Sequence, residues 1–456
     1  MRTVKIHFLG ASGTVTGSKY LLETPELNIM IDCGVFQGLK ELRLHNWECL
    51  PFDVSKLNFV LLTHGHLDHT GYLPRLVQQG FTGKILGTAP TLDITEIILR
   101  DSAKIHEEEA EKANEEGYTS HSPALPFYTT DDVLKTLRFF ENTEKDTWIP
   151  LSENIQCRFL YNGHIIGSTY IELQIFEKTF VFSGDVGRRN DPLLFPPEKP
   201  QWADYLFLES TYGNKLHPVE SISEKLAALI HKTIHNRGTL IIPSFAVERL
   251  QVLMYLLWKL YQKNAIPKIP IFIDSPMGNN VTRVFEEFIH WHKLDALQTK
   301  AIKKRMHIIT SYKETWETID DPRPKVVIAG SGMVTGGRVL TYLKQLIDMP
   351  TTTLLLVGFQ AEGTRGRQLL EGAHEIKFFG KYYPVKASVH HLESMSAHAD
   401  QADLLDWINE IKNIPEEVFL IHGEPGASDA LRVKIQDNFG WKVSLPKLYE
   451  VVEVMV

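Results

Sequence analysis

FVLLTHGHLDH, residues 59–69, places four potential metal ligands, His64, His66, Asp68 and His69, directly after an apolar run. Phe59 to Thr63 read as a short strand, and the polar cluster falls where strand gives way to helix. Alternate residues of an extended segment point to the same side, so His64 and His66 can chelate one ion. The turn that follows aims Asp68 and His69 at another. Gly65 lets the backbone pass close to a neighbour. A polar loop that is merely rich in histidine is the plain alternative, but burying such a cluster without a metal is costly.

Around this stretch the first half of the chain is a series of short apolar and β-branched runs. TVKIHFLG, KYLLETP, LNIMIDCG, KILGTAP, IQCRFLYNG, STYIELQIF, TFVFSGDVG and DYLFLEST all end in Gly, Pro or polar turns and predict packed sheets. Residues 92–117 show helical spacing followed by a dense acidic stretch, which predicts an exposed helix whose charges form a solvated face. From about Gly213 strands alternate with longer helical stretches: SISEKLAALIHKTIHN, GTLIIPSF, AVERLQVLMYLLWKLYQK, KIPIFIDSP, PKVVIAGSG, VLTYLKQLID and TTLLLVGFQ. That alternation predicts a parallel α/β sheet, placed as a domain inserted within another. Strand ends supply further candidate ligands: His164 in YNGHIIGS, Asp185 in FVFSGDVG and His422 in VFLIHGEPG. Any one of these alone is more often a turn residue bonded to nearby backbone. Together with the first cluster they fill two metal sites.

At 456 residues the chain exceeds what one hydrophobic core usually organises. A hydrophobic content of 43% and a charged content of 23% are ordinary for a globular protein. No apolar run reaches the roughly 18 to 20 residues that span a bilayer, and MRTVKIHFLGASG is strand-like rather than a signal peptide, so no membrane association and a cytoplasmic location are expected. Cys33, Cys49 and Cys157 are odd in number and lack C-x-x-C spacing, which excludes a disulfide framework and a thiolate metal site. A formal net charge of −8 weighs against a generally basic, nucleic-acid-coating surface. Any phosphate-binding track must be locally basic.

Asp32 in IMIDCG, the HGHLDH run, His164 and Asp185 resemble the successive motifs of the metallo-β-lactamase superfamily. Glu209 in LFLESTYG, His398 in MSAHAD and His422 in IHGE resemble three further motifs of its β-CASP ribonucleases, the group of ribonuclease J and the pre-mRNA 3′-end endonuclease. IIPSFAVERLQ, IDSPM, GSGMVTGGR and FQAEGTRGRQL resemble that group's inserted domain, so the similarity runs along almost the whole chain. The resemblance implies an α/β fold: a metallo-β-lactamase αββα sandwich with an inserted parallel α/β β-CASP domain. The expected limits are residues 1–210, 211–385 and 386–456, the last returning to the first domain.

The resemblance also implies roles. His64, His66, His164 and a bridging Asp185 would hold one metal, and Asp68, His69, Asp185 and His422 the second, with Asp32 behind them. Two Zn2+ per chain are expected, and Mn2+ or Fe would suit the same nitrogen and oxygen donors. Such a pair activates water and stabilises charge in an in-line displacement at phosphorus. His398 is the expected general acid for the leaving ribose oxygen, with Glu209 holding its ring; Asp32, Asp68 and Asp185 complete the catalytic set. Ser331, Gly332, Thr335, Gly336 and Arg338 of the Gly-rich loop, with Arg249, Arg365 and Arg367, are the expected substrate contacts. The expected substrate is single-stranded RNA, cut endonucleolytically or from the 5′ end, by a monomer or a homodimer. A hydrolase of a small thioester or lactam keeps the fold with another reaction, and a non-catalytic RNA-binding subunit keeps neither reaction nor metals.

Overall fold

The computed structural model describes residues 2–116, 123–218 and 220–456. The chain forms two compact units, Met1–Leu216 with His398–Val456, and His217–Ala397. Among the described residues the first unit holds two seven-stranded sheets. One runs Val451–Met455, Thr3–Phe8, Tyr20–Glu23, Asn28–Ile31, Phe59–Leu61, Lys84–Thr88, Phe140–Thr143. The other runs Val443–Ser444, Glu417–Ile421, Tyr205–Glu209, Lys178–Phe182, Thr169–Ile175, Ile155–Tyr161, Ile149–Pro150.

The inner faces of both sheets meet in one apolar core containing Val4, Ile6, Phe8, Phe159, Phe180, Phe182, Phe207 and Phe419. The Phe182 and Phe207 rings stack at 4.0 Å, and Phe207 and Phe419 at 5.0 Å. Helices close the outer faces. Leu73, Leu76, Leu92 and Leu99 cover one sheet, and Leu404, Trp407, Leu431 and Ile435 the other. The layers are therefore helix, sheet, sheet, helix, as expected. The acidic helix differs in degree: Ala89–Glu116 is longer than its charge pattern suggests, and its first half is buried through Thr91, Leu92, Ile94, Thr95, Ile98 and Leu99. Gly117 lies outside the described residues.

Within this frame Asn28–Ile31 and Phe59–Leu61 are neighbouring parallel strands. Lys178–Phe182, Tyr205–Glu209 and Glu417–Ile421 are three more. Parallel neighbours end on the same side of a sheet, where ligand sites of α/β proteins gather. Asp32, His64, Asp185, Glu209 and His422 all stand at or just beyond those ends.

The second unit is built on a parallel sheet ordered His307–Ile308, Ile271–Asp274, Lys325–Ala329, Thr239–Pro243, Thr353–Val357, Ser388–Leu392. Its strands are buried, near-continuous apolar runs, which is the texture of a sheet covered on both faces. Ser388–Leu392 pairs with Thr353–Val357, so residues 386–397 fall in this unit and not with the returning segment. A separate hairpin joins Glu375–Phe378 to Lys381–Pro384. No helix among the described residues is long and apolar enough to cross a membrane.

Candidate metal centre

The strand Phe59–Leu61 ends in a loop gripped from two sides. Ser18 N–H donates to the Asp68 carbonyl at 2.8 Å, and Cys33 N–H to that of His69 at 2.7 Å. Gly34 packs so tightly there that a Cβ would lie 1.6 Å from the Asp68 carbonyl oxygen. Only glycine fits, and this close approach fixes the path of the HGHLDH segment. Lys19, buried beneath, donates to the Gly34 carbonyl at 2.6 Å and lies over the Phe36 and Tyr72 rings.

Four side-chain atoms then converge. His64 Nε2 lies 3.1 Å from His66 Nδ1 and 3.4 Å from Asp185 Oδ2. His164 Nε2 lies 3.3 Å from His66 Nδ1 and 3.5 Å from Asp185 Oδ2. Atoms bound at about 2.0 to 2.1 Å to one tetrahedral ion sit roughly 3.3 Å apart, and these four separations match that spacing, with all four donors within 4.8 Å of one another. A second group, Asp68, His69 and His422, adjoins it. His69 Nε2 is 3.3 Å from Asp185 Oδ1, and His422 Nε2 is 3.4 Å from Asp68 Oδ2. Asp185 thus turns one oxygen to each group. The donor set and its spacing fit two divalent ions sharing a carboxylate.

Hydrogen bonds behind the cluster set which nitrogen each ring presents. Asp32 accepts from Thr63 N–H and Thr63 Oγ1–H, both at 2.8 Å, and from His69 Nδ1–H at 2.7 Å, leaving His69 Nε2 to face inward. Thr63 Oγ1 lies 3.1 Å from His64 Nδ1, and Thr211 Oγ1 lies 3.0 Å from His422 Nδ1. The sequence reading missed both threonines and Lys19. The one available signal was position, since Thr63 and Thr211 each neighbour a residue that reading had singled out.

Burial lowers the basicity of His64 far below its ordinary value and takes His66 down to about 4, so both present neutral rings, the form that binds a metal. For Asp185 burial works toward protonation, but His422 and His69 outweigh it and hold the carboxylate ionised. Glu209, fully buried, accepts from Val186 N–H at 2.6 Å and faces His398 Nδ1 at 3.2 and 3.3 Å from its two oxygens. His398 Nε2 is turned to Asp185 Oδ2 at 3.9 Å, and its ring lies 4.5 Å from that of His164. Burial disfavours the charged His398 ring, yet Glu209 and Asp185 outweigh burial and raise its pKa.

The expected substrate contacts all lie in the second unit, and the structure gives them partners of their own. Ser331 Oγ accepts from the Thr335 and Gly336 N–H groups at 3.1 and 3.2 Å, and Gly332 is buried against the Phe245 ring. Arg338 donates to Thr315 Oγ1 at 2.6 Å, lies 3.7 Å from buried Asp274, and stacks on Tyr312 at 3.6 Å. Arg365 donates to the carbonyls of Lys377, Thr335 and Val334. Arg367 pairs with Glu371, and Arg249 is buried. The arrangement is an internally braced loop rather than an open track of cations.

Known proteins bear on this geometry. Residues 13–229 match the model of the metallo-beta-lactamase superfamily, residues 250–369 that of the Beta-Casp domain, and residues 382–446 that of the Zn-dependent metallo-hydrolase RNA specificity domain. A Thermus thermophilus protein named as a ribonuclease is 33% identical over 98% of this chain and 99% of its own. An RNase J-like protein of Methanocaldococcus jannaschii is 30% identical over 92% and 93%. A transcription termination factor, FttA, of Methanosarcina mazei is 30% identical over 93% of this chain and 67% of its own. A crystal structure of a protein of unknown function from Enterococcus faecalis shares the fold along both whole chains, with a TM-score of 0.56 at 13% identity.

Proposed function

The chain belongs to the β-CASP metallo-β-lactamase ribonucleases and is a metal-dependent, RNA-cleaving hydrolase, and from that membership we propose that it hydrolyses single-stranded RNA at a two-zinc centre with His398 as general acid. The single observation that carries the two-ion reading is Asp185, whose two oxygens lie 3.4 and 3.3 Å from ligand nitrogens of two separate groups. His64, His66, His164 and Asp185 would hold one ion, and Asp68, His69, His422 and Asp185 the other. The nitrogen and oxygen donors suit zinc, and manganese or iron by the same chemistry. When bound, such ions supply Lewis acidity, which makes water nucleophilic near neutral pH and offsets charge on phosphate oxygens.

The residues of the chain supply orientation and the proton. Asp32 fixes the His69 tautomer, and Thr63 and Thr211 do the same for His64 and His422. Glu209 accepts from His398 Nδ1, which leaves Nε2 carrying the second proton of the charged ring on the side of Asp185. From there His398 protonates the leaving ribose oxygen as the phosphodiester bond breaks. The Glu209 carboxylate beside Nδ1 favours the charged form of the ring. In the second unit, Ser331 and Thr335, in the Gly-rich loop that precedes helix Arg338–Leu346, would meet RNA through their hydroxyl groups.

End-labelled single-stranded RNA, offered with a 5′-phosphate or a 5′-hydroxyl, tests this reading. Cleavage should stop with a chelator and return with zinc or manganese. The product ladder distinguishes internal cuts from stepwise removal at the 5′ end. Metal-loaded protein that leaves the RNA intact would contradict the proposal.

A further inference from the structure

The hairpin of residues 375–384 breaks two rules that proteins usually keep. Its turn is Phe379-Gly380, with φ of 50° and 74°, the double left-handed conformation that connects two-residue hairpins and favours Asn-Gly. A bulky aromatic at φ 50° is strained, and Phe379 is also 53% exposed. Tyr382, directly opposite Lys377 across the ladder, is 62% exposed. A local conformational cost borne by a solvent-facing ring argues that the ring is kept for what it touches.

Lysines predominate around these rings. Lys344, Lys377, Lys381 and Lys386 are all exposed and form no ion pair among the described residues, against one exposed carboxylate on the hairpin itself, Glu375. Lys377 lies over the Tyr382 ring at 5.3 Å and Lys344 over Phe379 at 5.9 Å. The hairpin is rigidly seated: Phe378 stacks on Tyr383 at 4.4 Å, and Arg365 bridges the Lys377 carbonyl to those of Thr335 and Val334 in the Gly-rich loop. On a chain of net charge −8, a basic, aromatic, rigid projection complements a polyanion with flat, stackable groups. Its exposed rings suit unpaired bases rather than a duplex, whose bases are already stacked.

We propose that this hairpin is a binding surface for single-stranded RNA, with Phe379 and Tyr382 stacking on bases and the surrounding lysines meeting phosphates. The proposal rests on RNA being the substrate and adds where, outside the metal centre, the strand is held. Affinity then has two separable parts, one independent of base identity through stacking and one dependent on salt through the lysines.

Phe379→Asn is the informative variant, because Asn-Gly relaxes the turn and stabilises the hairpin while removing the ring. Binding of a labelled 30-nucleotide unstructured RNA, measured with chelator present so that no cleavage occurs, should weaken roughly 5-fold to 100-fold for Phe379→Asn alone, and by a further factor of similar size when Tyr382→Ser is added. Lys377→Gln with Lys381→Gln should lower the slope of log affinity against log salt by about 1.4. Metal content and hydrolysis of bis(p-nitrophenyl) phosphate should match the parent in all of these. Unchanged RNA affinity would overturn the proposal, as would a change in oligomeric state alone, which would make the hairpin a protein contact. Parallel loss of RNA binding and model-substrate hydrolysis would overturn it in favour of a structural role. A parent that binds RNA through the hairpin but cleaves none would instead sink the nuclease reading and leave this surface standing.

Discussion

Asp185 faces His64 with one carboxylate oxygen at 3.4 Å and His69 with the other at 3.3 Å. It is 2% exposed, and surrounding histidines hold it ionised against its burial. A shared carboxylate couples two ions, so loss of one oxygen should be felt at both sites.

Asp185→Ala should therefore lose most of a two-ion complement, and Asp185→Asn, which keeps the shape but halves the ligating oxygens, should fall between it and the parent. Elemental analysis of purified protein checks this. One ion per chain in a fully active parent, or an unchanged pair in Asp185→Ala, would defeat the shared-ligand assignment.

Arg338 is anchored rather than free, bonded to Thr315 and close to Asp274, whose carboxyl burial raises toward the neutral form. Removing one partner of a buried pair is costly, so Arg338→Ala should destabilise the second unit by roughly 2 to 4 kcal/mol. In an Asp274→Asn background the same change should cost less, since the charge it neutralised is gone. Urea unfolding measures both. A reduced salt dependence of RNA affinity with unchanged stability would instead return Arg338 to direct phosphate contact.

Lys19 is buried, and desolvation lowers its pKa to about 8 from the ordinary value of 10.5. The unfolded chain then binds the proton more tightly than the folded one, so this residue makes stability rise as pH climbs from about 8 to about 10.5. The penalty is fully present below that window and absent above it. The gain across the window is roughly 3 kcal/mol. Lys19→Met should abolish this contribution, visible as a parent-minus-variant difference in unfolding free energy that changes with pH. A difference flat across the window would show that the ammonium is not desolvated.

Much of the centre was legible because its ligands are contiguous or stand at the ends of strongly apolar strands. HGHLDH announces itself within six positions, and Asp185 and His422 follow FVFSG and VFLI runs that read as strands on composition alone. What the sequence could not carry is proximity. Nothing in KYLLE shows that Lys19 lies beneath Gly34, and nothing in GTRGRQL shows that Arg365 bonds three backbone carbonyls. Arginines in motif-like stretches read as cations for a substrate, whereas burial and local acceptors decided where they point. Edge strands were also hidden: Val451–Met455 pairs with Thr3–Phe8, yet three of its five residues are exposed and its composition shows no clean alternation. The hairpin turn Phe379-Gly380 escaped for the opposite reason, since Phe is among the last residues expected at such a turn.

The role proposed for His398 would tie this centre to phosphodiester cleavage, because it places a proton donor outside the ligand set. Its Nδ1 lies 3.2 and 3.3 Å from the Glu209 oxygens, and its ring is partly exposed where its nearest ligands are buried. The decisive measurement is the single-turnover cleavage rate of a defined single-stranded RNA by His398→Ala protein whose metal content equals the parent's. The expected fall is roughly 10²- to 10⁴-fold with RNA affinity nearly unchanged, and a Glu209→Ala, His398→Ala double variant should be scarcely slower than His398→Ala alone. Folded, metal-loaded His398→Ala protein that cleaves at the parent rate would contradict that role.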